Sequence, residues 1–186
     1  MAAMRFMICV TLMGVTGWHL SSAYGQKAKD ISDLTEKEFK AATLSKIPPY
    51  IQWPEKKQPP AGEKCIFGIL GKSPFDDGLL EQLLKDAKID GRDLVVKTFE
   101  GAEDLSKCHI LFVPADKIAR WQELAKSLDT FGILTVGESP DFAKTLGGVF
   151  NLSLLPERKL EINPKNAKKA GLEINSKLLK WARIVK

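Results

Sequence analysis

Cys65-Ile66-Phe67-Gly68-Ile69-Leu70-Gly71-Lys72-Ser73-Pro74-Phe75 is the stretch that decides the fold of this 186-residue chain. Its first six residues form an apolar run with no polar alternation, which predicts a strand buried on both faces. Ser73 then supplies an N-cap and Pro74 a favoured first helical residue, and Phe75, Leu79, Leu83 and Ala87 recur at helical spacing. A buried strand followed directly by an amphipathic helix is the unit of a parallel α/β sheet.

Downstream the unit repeats. An Asp90-Gly91 turn precedes a strand over 94–99 and a short helix around 102–105, and 109–113 is again a buried type of strand. Asp116 is placed to cap a helix whose Ile118, Trp121, Ala125 and Leu128 share one face; a strand over 131–136 and a short helix from Ser139-Pro140 to Gly147-Gly148 follow. This alternation predicts a single α/β domain of Rossmann-like type, with a mostly parallel sheet and helices on both faces.

The pattern then changes. Residues 149–154 and 158–162 alternate apolar with polar across a turn at Leu155-Pro156-Glu157, which predicts a C-terminal antiparallel β-hairpin with one wet face. Asn163-Pro164 opens a short helix stopped near Gly171, and in the last helix Ile174, Leu178, Ala182 and Val185 form the inward stripe. Upstream, Thr35-Glu36-Lys37-Glu38 reads as a capping box, with Leu34 and Phe39 at the positions of a hydrophobic staple, and Pro48-Pro49 ends that helix.

Residues 1–25 contain a basic start at Arg5, an apolar run to about Leu20, and small residues at Ala23 and Gly25. This order predicts a signal peptide cut after Gly25, leaving residues 26–186 in the periplasm; the run is too short and too broken by Gly14, Gly17 and His19 for a membrane span. The formal charge is +5, and loss of Arg5, the leader's one charged residue, leaves +4. The lysines are scattered and not interleaved with aromatics, so nucleic acid is not the expected partner.

Two cysteines follow the leader, Cys65 and Cys108. In an oxidising compartment an even pair predicts a disulfide, and each cysteine begins a strand of neighbouring position, so a staple of ~4 kcal/mol is expected, with a redox sensor as the alternative. His109 is the one histidine after the leader, too few ligands for zinc with the two thiols, so no metal and no cofactor are expected. Gly68 to Ser73 is neither a P-loop nor G-x-G-x-x-G and reads as a capped turn. There is no G-x-S-x-G elbow, and His109 heads an apolar strand at the end opposite the usual crevice, so catalysis is not expected.

Taken in order, Phe39-Lys40-Ala41-Ala42 leading to Ile51-Gln52-Trp53-Pro54, Cys65 to Gly71, Cys108 to Val113, Ile133 to Glu138, Gly147 to Leu152, Leu160 to Asn163 and Gly171 to Leu179 resemble the YfiR family over nearly all of residues 26–186. The resemblance implies a Rossmann-like exported domain, often dimeric, that binds the periplasmic part of an inner-membrane diguanylate cyclase and represses it. Pro48-Pro49 departs from the aromatic-rich helix end usual there. The competing reading is a periplasmic small-molecule-binding module of a transport or signalling system, with a polar ligand held beside Asn151, Glu161 and Asn163. Candidate ligand- or partner-binding residues are these three with Ser176 and Lys177 at the last helix start, and Trp53, between a helix end and Pro54, as an exposed anchor or a lid. Trp121 and Trp181 fall near core stripes and read as packing.

Overall fold

The apolar runs become the centre of the sheet. In the computed structural model, which describes residues 34–186 apart from 61, 76–77, 103 and 153–159, β2 (Cys65–Leu70) lies between β4 (Arg92–Phe99) and β5 (Ile110–Val113), and β6 (Leu134–Gly137) follows β5, all parallel. The Asp90-Gly91 turn, with both residues at positive φ as a two-residue hairpin turn demands, folds β3 (Lys88–Ile89) back on β4. Beyond β6 lie β7 (Phe150–Asn151), parallel to it, then β8 (Glu161–Ile162), antiparallel to β7, then β10 (Arg183–Ile184), parallel to β8. The eight-stranded order is β10-β8-β7-β6-β5-β2-β4-β3, and β1 (Ile51–Gln52) pairs separately with β9 (Glu173–Ile174). The turn expected at 155–157 and the leader over 1–25 lie outside the described residues.

Two apolar layers flank the sheet. On one face Phe67, Ile69, Ile110 and Phe112 pack with α1 (Glu36–Lys46), α2 (Leu79–Leu84) and α4 (Pro164–Lys169); on the other, Leu70, Leu111 and Val113 pack with Trp121 and Leu124 of α3 (Ile118–Leu124) and with Phe142. The capping box forms as the sequence predicts: Thr35 Oγ1 accepts from Glu38 N at 3.2 Å, and Glu38 Oε2 accepts from Thr35 N at 2.8 Å.

Several elements differ from expectation for local reasons. The helix expected from Ser73-Pro74 starts later, at Leu79 behind a left-handed Gly78, because Phe75 turns into the core, its ring centroid 5.4 Å from that of Phe112. Ser73 Oγ accepts from Phe75 N and so closes a turn instead of capping a helix. Asp116 lies inside a 3-10 turn (Ala115–Lys117), so Lys117 occupies the N-cap of α3, and residues 141–145 make turns around a left-handed Asp141. The last helix, α5 (Ser176–Trp181), stops two residues before β10 begins.

The disulfide expectation is overturned. Cys65 and Cys108 are both free thiols, and they belong to opposite layers: Cys65 packs with Phe67 and Ile69, whereas Cys108 packs with Leu70 and Leu111. The 3-10 turn over Leu105–Lys107 delivers Cys108 out of phase with β5, so its Sγ lies only 2.5 Å from where a Cβ on Gly68 would stand. Gly68 is required at this position to admit that sulfur beside the strand.

Candidate functional site

The first parallel strand and its neighbour β5 are connected onward in opposite directions, to β4 and to β6, so the crevice at their carboxyl ends is where a doubly wound sheet leaves room for a ligand. A cleft of about 420 Å³ opens beside it, lined by Thr35, Glu36, Lys37, Lys40, Pro74, Phe75 and Glu138. Pro74 and Phe75 follow β2, Glu138 follows β6, and the first turns of α1 form the facing wall.

The cleft is held by a buried cation. Lys40 sits on the inward stripe of α1 with Ala41, Leu44 and Ser45, yet its ammonium reaches Glu138 Oε2 at 2.6 Å and also meets the Glu36 carboxylate. Glu138 uses its other oxygen to accept from Ala115 N at 3.1 Å, so one carboxylate ties the end of β6 to the end of β5 and to α1. Burial works against the Lys40 charge, but the hydrogen bonds that its ammonium donates to Glu138 and Glu36, with the attraction of their charges, outweigh it and raise the pKa above the ordinary lysine value. The cleft thus offers charge of both signs around the apolar Phe75 ring, the cations all from α1.

At the opposite, amino end of β5, His109 organises a second polar knot. Its Nδ1 accepts from Ile66 N at 3.1 Å, which leaves the proton on Nε2 to be donated to Lys57 O at 3.1 Å. Trp53 Nε1 donates to His109 O at 3.2 Å. Trp53 is therefore buried, not an exposed anchor or lid. Because both ring nitrogens serve backbone groups, His109 acts as a clamp on the chain between β1 and β2 rather than as a base.

Burial and the nearby Lys57 ammonium push the His109 pKa down from 6.5 to about 4. The folded state keeps the ring neutral while the unfolded chain protonates it. This stabilising share is complete above pH 6.5 and is lost as pH falls through about 4. A loss of about 2 kcal/mol, discounted for residual solvent, is expected on acidification. Urea denaturation from neutral to mildly acid pH checks it, and the slope should flatten in His109→Gln.

The thiols are equally inert in place. Burial raises Cys65 to about 11 and Cys108 to about 12, so neither supplies thiolate at neutral pH. We expect a thiol reagent to label neither cysteine in the native protein and both after unfolding, and reductant to leave the melting temperature unchanged. Colorimetric thiol counting with and without denaturant tests both.

The residues singled out on β7 and β8 do come together, but not as a wet face. Asn151, Glu161 and Asn163 are buried; Asn151 Nδ2 donates to Glu161 Oε2 at 2.8 Å, and Arg183 Nε of β10 lies 3.5 Å from Glu161 Oε1. Asn163 caps α4 by accepting from Lys165 N and Asn166 N, and it donates to Ala143 O at 2.8 Å. Asn151 and Glu161 thus bond each other across β7 and β8, while Asn163 ties the start of α4 to Ala143. Ser176 and Lys177 are exposed at the start of α5, where Asn175 is the cap.

Lys40 and Glu138 are the site residues missed from the sequence. A lysine in the buried stripe of α1 is the one signal that pointed to them. Trp121 is buried as expected, its Nε1 donating to Leu146 O at 2.9 Å, whereas Trp181 is 53% exposed, contrary to a packing role.

Two comparisons bear on what this arrangement is for. Residues 37–183 match a family model described as YfiR/HmsC-like. Among curated proteins, none matches the chain.

Proposed function

The chain belongs to the YfiR/HmsC-like family, and from that membership we propose that it is an exported regulatory protein that binds the periplasmic part of an inner-membrane signalling protein and represses a diguanylate cyclase. The observation that carries this reading is the extent of the match, residues 37–183, which runs from the second residue of α1 to the first of β10 and so takes in nearly all of the sheet, most of the cleft lining and the His109 clamp. The family is regulatory rather than catalytic. The engagement of both His109 nitrogens with backbone and the raised thiol pKa values support a non-catalytic role for this chain too. No helix among the described residues is long and apolar enough to cross a membrane; it is the family membership that supports a contact with the cyclase outside the bilayer.

The test is affinity capture on detergent-solubilised membranes of the source cell, with oxidised and reduced protein in parallel. Retention of a membrane protein bearing a cyclase output domain is the expected result, equal in both conditions because no bond joins the cysteines. Retention of no such protein overturns the reading.

A second reading has its own observation, the cleft of about 420 Å³ between Phe75 and the Lys40–Glu138 pair. Its size suits a small polar molecule, and its placement on α1 would let occupancy alter the surface offered to a partner. Heat-stability shifts with a panel of small polar metabolites, compared between wild type and Phe75→Ala, test it; no shift with any of them argues against it.

A further inference from the structure

We propose that the C-terminal edge of the sheet, where Trp181 and Ile184 stand among Lys177, Lys180, Arg183 and Lys186, is a docking face for an anionic lipid surface. This rests on the reading above only in that the partner it serves is embedded in a membrane.

The segment is anchored on one side and open on the other. Arg183 N donates to Leu160 O at 2.8 Å and Val185 N to Ile162 O at 2.9 Å, Val185 is buried, and Ala182 packs against the core. What faces outward is the outer edge of β10, both of whose residues are exposed. Trp181 is 53% exposed and Ile184 47%, two of the three large apolar side chains so exposed among the described residues.

Charge decides the occupant. From Ile174 to Lys186 the chain has four cationic side chains and no aspartate or glutamate. Lys177, Lys180, Arg183 and Lys186 are all exposed, and Arg183 keeps half of its side chain in solvent despite its approach to Glu161. Lysine and arginine alone would serve to guard a sheet edge against pairing. A tryptophan and an isoleucine exposed among them do the reverse in water, and they suit an interface where the indole ring sits at headgroup depth while the cations meet lipid phosphates. A bare acidic surface would leave both apolar groups unburied, whereas the headgroup region of an anionic bilayer satisfies both kinds of group at once.

Vesicle sedimentation tests the proposal, using the protein as processed and isolated from its own cells. Vesicles of phosphatidylethanolamine with phosphatidylglycerol should carry it down and vesicles of phosphatidylcholine should not, with release as salt is raised. Each cation near such a surface contributes about a five-fold factor in binding, so Lys177→Glu with Lys180→Glu should weaken it by roughly 25-fold or more. Trp181→Ser should weaken it several-fold, with an unchanged melting temperature to show that the fold is intact. Equal binding to both vesicle types, no binding to either, or variants that bind like wild type would overturn the proposal. So would binding only to vesicles that contain a membrane protein, which would make the edge a protein-docking face. Because the lipid vesicles hold no cyclase, failure here is distinguishable from failure of the regulatory reading.

Discussion

Gly148→Ala is expected to destabilise the protein by about 3 kcal/mol, the upper end of what overpacking costs. A Cβ at this position would stand 2.1 Å from Cε1 and 2.2 Å from Cδ1 of Phe142, a ring that is fully buried. The ring has nowhere to retreat, because Gly137 approaches it too: a Cβ there would lie 2.3 Å from Cγ. Phe142 also packs at 5.7 Å against Trp121, so displacing it disturbs the layer that covers β5 and β6. Chemical denaturation reads the effect directly. Phe142→Leu in the alanine background should recover part of the loss by removing the atoms that clash; a Gly148→Ala variant within about 0.5 kcal/mol of wild type would show that this cradle is not tight.

Lys40→Met should cost a similar amount, about 3 kcal/mol, for a different reason. Methionine preserves the length and apolar stem of the side chain but removes the charge, leaving Glu138, whose side chain is only 10% exposed, with its Ala115 N–H bond and without its cation. Removing one partner of a buried pair is far more damaging than removing both. The double change Lys40→Met with Glu138→Gln should therefore be closer to wild type than Lys40→Met alone, since glutamine can still accept from Ala115. The sign of the pH dependence follows from the raised Lys40 pKa: the pair's contribution is complete below the unfolded lysine value and is lost as pH rises through the higher folded one. Denaturation of both variants at neutral and alkaline pH measures the cost and the slope together.

How far the sequence reaches is clearest at particular elements. Three of the parallel strands, β2, β5 and β6, are legible because they are buried on both faces, and an apolar run such as Ile110-Leu111-Phe112-Val113 needs no partner to be recognised. The α1 capping box and the Asn163-Pro164 start of α4 are legible because their chemistry is local. Alternation on β7 and β8 correctly separates Phe150 and Ile162 from Asn151 and Glu161, but alternation cannot say which face meets water. That depends on what else covers the face and on Arg183, more than twenty residues further along, which reaches Glu161 only because the C-terminal segment adds β10 beside β8.

The cysteines fail for a similar reason. Their strands are indeed neighbours, and a regular ladder would set Cys65 and Cys108 side by side, but one 3-10 turn before Cys108 moves its sulfur to the other layer. The candidate site is the least legible part. Lys40 and Glu138 are joined only because the start of α1, which packs on one face of the sheet, reaches the carboxyl end of β6, a placement that no periodicity in either segment encodes. What the order of motifs does encode is kinship, and residues 37–183 bear that out.

Repression of a cyclase from outside the membrane is read most directly from intracellular cyclic-di-GMP in the source cell, with and without this protein. Removing the chain should raise cyclic-di-GMP, and restoring the wild-type chain should return it to the starting level. An unchanged level on removal, or a rise that the restored wild-type chain does not reverse, would contradict repression by this chain.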